Sequence, residues 1–221
     1  MKKHLLLFLI LCGQLATYAQ QNFKVNTTKE TKKVLIEEFT GYSCGHCSEG
    51  HVVADRIVKT SDGNAFLINI HAGSFSVPHG GANDMRTDDG EIIAGYFEAE
   101  KYGFPSATIN RHAFEENMYV YGRGLWEGFA ETVKKEEASV NLYMSSVYDG
   151  NTGELEIHVE GYNTEDNSNK ELKLNVLLTQ DYIEGIQNGA VNSSNYIHMN
   201  VLRDYISPVE GDNVDHKSKG D

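Results

Sequence analysis

The fold class that this sequence predicts is an α/β domain over residues 34–138 followed by a β-rich domain over residues 139–206. Three observations predict it. Through the first part of the chain, apolar runs short enough to be buried strands alternate with stretches of helical spacing. Cys44 and Cys47, a Cys-x-x-Cys pair, fall at the first junction between such a run and such a stretch. After Ala138 the apolar period changes from 3.6 to 2, the signature of half-buried strands.

The chain opens MKKHLLLFLILCGQLATYAQ. A basic Lys2-Lys3 pair, a short apolar run from Leu5 to Leu11 and Thr17-Tyr18-Ala19 before Gln20 predict a signal peptide over residues 1–19 and an exported protein. The apolar run is well short of the roughly 20 residues that span a bilayer. Residues 20–33 are polar and read as a leader arm. The net charge of −13 falls further once Lys2 and Lys3 are removed, which argues against a nucleic-acid partner.

Val34-Leu35-Ile36 with Glu37-Glu38-Phe39 predicts a first buried strand, and Thr40 to Ser43 a turn. From Cys47 on, Val53 and Ile57, and Ala54 and Val58, stand four apart, which predicts a helix ending near Thr60-Ser61-Asp62-Gly63. Ala65 to Ile70 is a second strand, and residues 72–90 read as loop. Asp88 or Asp89 is expected to cap a helix over 91–102 that Gly103 ends. Phe104-Pro105 precedes a third strand over 106–110. Trp126, Phe129, Ala130 and Val133 form an i, i+3, i+4, i+7 stripe on a helix over about 124–137. In the second domain Val140, Leu142 and Met144 alternate, as do Leu155, Ile157 and Val159, across a turn at Asp149-Gly150 and Thr152-Gly153. Leu172, Leu174 and Val176 alternate again, and Tyr196 to Leu202 predicts another strand of an antiparallel sheet or sandwich. Residues 207–221 read as a polar tail.

Once Cys12 leaves with the signal, Cys44 and Cys47 are the remaining thiols. A bridge closing so small a ring constrains the unfolded chain little, so it is a poor staple. A Cys-x-x-Cys pair at a strand-to-helix junction is instead the thioredoxin signature, and residues 34–138 read as a thioredoxin-like domain. The placement has a chemical reason. A cysteine at a helix N-terminus meets unpaired amide groups and the positive end of the helix dipole, which favour the nucleophilic thiolate. Cys44 is expected to be the exposed attacking residue and Cys47, one turn on, the resolving one. His46 between them is expected to stabilise the Cys44 thiolate and so make the disulfide more oxidising.

"EFTGYSCGHC" resembles the active site of protein disulfide isomerases. That resemblance implies a role for Glu38 as the buried acid that accepts or relays the Cys47 proton. "GFPSATINR" resembles the loop in which such folds set a cis-proline against the disulfide, which implies that role for Pro105 and backbone contacts from Phe104 to an extended substrate. Two positions depart from the pattern: Ser43 stands where tryptophan is usual, and Leu67 where a lysine partners the buried acid. Over most of the chain, "VLIEEFTGYSCGHC", "INIHAGSFSVP", "FPSATINR" and "YIHMNVLRDYI" together resemble the outer-membrane-protein-28-related family of Gram-negative bacteria. Its members are similar to a thioredoxin-like domain followed by a β-rich domain, which leads one to expect further strands after Ile206.

The resulting expectation is a thiol–disulfide oxidoreductase of the cell envelope, periplasmic or associated with the outer membrane or cell surface. It would act on protein cysteines without a cofactor, and a redox partner would recharge it. Two alternatives stand beside it. One is a non-catalytic binding or adhesion module on the same scaffold. The other is copper or zinc binding through Cys44, Cys47 and His51, with His71 or His79 completing the set. Asp84, Asp88, Asp89 and Glu91 cluster without calcium-loop spacing. Arg111 is a surface charge or the partner of a nearby acid.

Overall fold

The structure is a computed structural model that describes residues 24–221. The signal-peptide expectation and the start of the leader arm lie outside these residues. Twelve named strands and three α-helices are assigned, in the order β1 (Val34–Thr40), α1 (Cys47–Thr60), β2 (Ala65–His71), α2 (Asp88–Tyr96), β3 (Ser106–Ile109), β4 (Tyr121–Gly122), α3 (Trp126–Val133), β5 (Val140–Asp149), β6 (Glu154–Asn163), β7 (Lys173–Leu174), β8 (Leu177–Gln180), β9 (Ile183–Gly185), β10 (Tyr196–His198), β11 (Val201–Tyr205) and β12 (Asp212–Asn213).

The architecture is mixed α/β. A six-stranded mixed sheet runs in the order β4-β3-β1-β2-β11-β8, and three two-stranded sheets pair β10 with β9, β12 with β7, and β5 with β6. Strand β1 lies parallel to β2 and antiparallel to β3. Because side chains alternate across a strand, β1 serves two cores at once. Val34 and Ile36 enter the core shared with α1 and α3, alongside Ala54, Ile57, Trp126, Ala130 and Val133. Phe39 enters the opposite core with Ile70, Ile93, Ala94 and Leu202. Trp126 is fully buried and its indole N–H donates to Tyr121 O at 2.8 Å. Burying a side chain of this kind is worth roughly 2–3 kcal/mol, and satisfying its one polar atom preserves that gain.

Four boundaries differ from expectation. Helix α2 begins at Asp88, three residues early, because Thr87 caps it by accepting from Gly90 N at 3.0 Å. It stops at Tyr96, and Glu98 in the left-handed region (φ 50°) separates it from a 3₁₀ turn over Ala99–Tyr102. Helix α3 is shorter than its stripe predicts. The run from Tyr196 is two strands rather than one, divided at Asn200 (φ 53°).

The larger difference concerns the second half of the chain. Of the alternating run Leu172, Leu174 and Val176, Lys173–Leu174 forms the short β7; the strands that follow do not join a separate sheet, since β11 adds parallel to β2 through Val201 and Asn69 and β8 pairs antiparallel with β11. Strands β5 and β6 do form a long hairpin of their own, from Val140↔Asn163 to Asp149↔Glu154. The polar segment 207–221 is tied in: Val214 N donates to Leu172 O, Asn167 N to Lys217 O and Asn163 N to Asp221 O.

Candidate functional site

Cys44 and Cys47 are joined in a disulfide with Cα atoms 5.5 Å apart, at the start of α1. The turn that carries them is pinned from three sides. Cys44 N donates to Gly41 O at 3.1 Å. Ser43 donates through both its N and its Oγ to Phe75 O, at 3.1 and 2.6 Å. Gly41 is a glycine because a Cβ there would stand 2.6 Å from the Phe75 backbone. The third restraint comes from the β9–β10 connection. Gln187 is fully buried, and its Nε2 donates to Gly41 O and Cys44 O at 3.3 and 3.2 Å. Asn188 N donates to Tyr42 O at 2.7 Å and its side-chain amide to Ser43 O at 3.1 Å. Gly189, at φ +79°, comes so close that a Cβ would fall 1.9 Å from Gly45 O.

This packing revises the expected exposure of Cys44. It is 3% exposed against 0% for Cys47, so the two cysteines are nearly equally buried. The Cys44 Sγ lies 3.5 Å from Phe104 O. The Phe104–Pro105 peptide is cis, and the Phe75 and Phe104 rings pack at a tilt with centroids 5.8 Å apart, so an apolar rim flanks the disulfide. Phe75 and Val77 are 40% and 50% exposed on that rim. His46 precedes α1 without a side-chain cap bond, and its exposed ring places Nδ1 3.6 Å from Glu49 Oε1, while Glu49 also pairs with Arg123.

Glu38 lies where the resemblance implies. It is fully buried on the α1 face of β1, with no hydrogen-bond partner on either oxygen. Desolvation pushes its carboxyl well above the usual carboxylate range, toward the protonated form. Gly50 lets the helix approach, since a Cβ there would meet Glu38 Oε1 at 2.5 Å and Pro105 Cβ at 2.6 Å. Glu38 and Pro105 therefore meet α1 at Gly50, three residues after Cys47.

The neighbouring Glu37 points to the opposite face, as strand alternation requires. Arg111 binds it bidentately at 2.8 and 2.6 Å and donates to Tyr205 OH at 2.9 Å, while Thr108 Oγ1 donates to Glu37 at 2.8 Å. Arg111 is thus a structural ion pair, which settles the choice left open by the sequence. Burial disfavours its charge, but the Glu37 carboxylate outweighs this and holds its pKa above the ordinary value.

His51, a candidate metal ligand by its spacing from Cys47, instead sits in a network of side chains beside Glu38. Its Nε2 is 2.9 Å from Thr40 Oγ1 and 3.8 Å from Glu38 Oε1, and its Nδ1 is 2.9 Å from Tyr196 OH. The His198 ring is 6.5 Å from that of His51 and 5.2 Å from that of His71. Burial drives His51 down to about 3 and His71 well below the ordinary histidine value, so both are neutral at pH 7. His79 packs edge-on against Tyr42. Among the described residues, no three His, Cys, Asp or Glu side chains are arranged to hold a metal ion. Tyr196, Gln187 and Asn188 carry no local motif; only the Asn188-Gly189 turn dipeptide marks the segment.

No curated protein matches this sequence. Among solved structures, HBP35 of Porphyromonas gingivalis is similar at TM-score 0.61 and 17% identity, over 86% of this chain. This chain spans 62% of that neighbour's length. A structural-genomics target protein of Agrobacterium tumefaciens is similar at TM-score 0.51 and 15% identity, over 80% of this chain and 73% of its own. Among the described residues no helix is long and apolar enough to cross a membrane. The family described as outer membrane protein Omp28 matches residues 95–220, more than half of the chain, and the chain therefore belongs to that family.

Proposed function

We propose that this chain is an exported thiol–disulfide exchange protein of the bacterial cell envelope, built on a thioredoxin-like scaffold and associated with the outer membrane or periplasm. The observation that carries the reading is the Cys44–Cys47 bond at the N-terminus of α1, with Pro105 and the buried Glu38 packed on the same turn at Gly50. In the direction that oxidises substrate, a substrate thiolate attacks Cys44 Sγ. The Cys44–Cys47 bond breaks as the substrate–Cys44 bond forms, and Cys47 leaves with the electron pair and takes a proton from Glu38. The second substrate thiolate then displaces Cys44 as a thiolate, leaving a substrate disulfide and the reduced pair; the reverse sequence reduces a substrate disulfide. The half-exposed Phe75–Phe104 rim is the surface against which an extended, cysteine-bearing polypeptide would lie. A redox partner restores the starting state, and the exchange needs no cofactor.

Replacing Cys47 by serine removes the resolving thiol. The Cys47→Ser variant is expected to accumulate mixed disulfides with a cysteine-containing peptide and with envelope proteins, visible on non-reducing gels, whereas Cys44→Ser is not. Absence of any such adduct would refute the reading.

One observation favours a second reading, a non-catalytic binding module. Cys44 is only 3% exposed beneath a segment that makes several hydrogen bonds to its turn. The β5–β6 hairpin also presents Leu142, Met144 and Tyr148 on one largely exposed face, which suits partner binding. On that reading the disulfide resists glutathione and the adducts do not form.

A further inference from the structure

We infer that His51 and Tyr196 form the proton path between the buried Glu38 carboxyl and solvent during exchange at Cys44–Cys47. The inference rests on the exchange reading and assigns it two residues outside the cysteine motif. Its starting point is that Glu38 is sealed. Neither oxygen has a hydrogen-bond partner, the α1 backbone closes over it at Gly50, and its cross-strand neighbour on β2 is the uncharged Asn69. A proton given to Cys47 leaves an unpartnered buried carboxylate, which a proton from solvent would neutralise.

The groups that face Glu38 and His51 come from four elements. Thr40 stands on β1, His51 on α1 with Asp55 one turn on, Tyr196 and His198 on β10, and His71 at the end of β2. Of these, His51 lies 3.8 Å from Glu38 Oε1 and reaches Tyr196 OH through its second nitrogen at 2.9 Å. Tyr196 is half-buried and lines an open surface depression with Val52, Asp55 and Ile197. The path therefore runs from a sealed carboxyl across a 3.8 Å gap to His51, whose Nε2 rests on Thr40 Oγ1 at 2.9 Å, and from His51 by a hydrogen bond to Tyr196 at the surface, and transfer to Glu38 needs that gap to close. The geometry supports a balanced transfer. His51 in its Nε2–H form passes that proton to the Glu38 carboxylate while Nδ1 takes the Tyr196 hydroxyl proton, and Tyr196 is reprotonated from water. One proton moves from solvent to Glu38, and the imidazole finishes in the other tautomer. Its burial suits the role, because a neutral ring carries both a donor and an acceptor.

The test uses the full exported chain and its His51→Gln and Tyr196→Phe variants. Turnover of the disulfide in a glutathione buffer at pH 7 is followed at increasing imidazole concentration, together with the alkylation rate of Cys44 in the reduced protein. Tyr196→Phe keeps the ring and its packing, so it remains informative if His51→Gln does not fold. Both variants are expected to turn over about tenfold or more slowly, within the range of a lost proton-transfer group. Added imidazole should restore the rate, and Cys44 alkylation should stay at the wild-type value. A variant as fast as wild type overturns the inference. So does a slow variant indifferent to imidazole, since that marks a merely structural contact. If the wild-type protein itself does not exchange, the exchange reading fails and takes this inference with it. If wild type exchanges and Tyr196→Phe behaves identically, only the path is wrong.

Discussion

The ion pair of Glu37 and Arg111 offers the sharpest stability prediction. Glu37 is 1% exposed, and its oxygens are met by the Arg111 guanidinium and Thr108. Arg111 also holds Tyr205, so the pair joins β1 and β3 to β11, the strand contributed by the second half of the chain. Replacing Arg111 by methionine leaves a buried carboxylate with one hydroxyl donor and no countercharge. Breaking such a pair costs about 3–5 kcal/mol. The Arg111 side chain keeps 32% of its exposure, so solvent screens part of the interaction and the lower end, about 3 kcal/mol, applies. For a chain of this length that corresponds to a fall in Tm of about 6–12 °C. The Glu37→Met, Arg111→Met double variant removes both charges, and the same principle makes it close to neutral. Urea and thermal unfolding of the two single variants and the double variant would measure the coupling. The reasoning is refuted if Arg111→Met costs less than about 1 kcal/mol, or if the two substitutions simply add.

Further predictions follow from the site. Gly189→Ala forces a side chain onto Gly45 O at a positive φ. It should cost about 1–3 kcal/mol and, by lifting the segment off the cysteine turn, speed reduction of the disulfide by dithiothreitol; an unchanged Tm and rate would show the contact to be slack. Stability should fall as pH drops below about 6.5, because buried His51 and His71 stay neutral in the folded state while their unfolded counterparts gain protons. Glu38 acts in the opposite sense: its raised pKa gives stability present below the unfolded value of 4.5 and lost as pH rises toward the folded value. Each group contributes a little over 1 kcal/mol per pH unit inside its window. Urea midpoints at pH 7.5 and 5.5 should therefore decrease, and a midpoint that rises would contradict this assignment. Glu38→Gln should remove the opposing contribution and steepen the loss on acidification.

Much of the central architecture was legible because its signals are local. The run from Val34 to Phe39, the four-residue spacings after Cys47 and the apolar run at Ala65 each describe one element completely. A buried acid at Glu38 was implied only by the resemblance around CGHC. An apolar run such as that from Tyr196 to Leu202 identifies a strand but says nothing of which sheet edge it joins, so the return of β11 to β2 was not visible. The same limit concealed the contacts that shape the site. Tyr196 meets His51, and Gln187 meets Gly41, only because the chain doubles back by some 145 residues. The low exposure of Cys44 is a consequence of that return and has no signature within the motif itself.

The most direct test of the exchange reading is the reduction potential of Cys44–Cys47, measured by equilibrating the exported chain in glutathione buffers. A helix-N-terminal pair with His46 in the intervening turn is predicted to fall within the catalytic span, roughly −270 to −120 mV. A value below about −300 mV, typical of inert structural bridges, would contradict it and leave a binding module on a redox-silent scaffold.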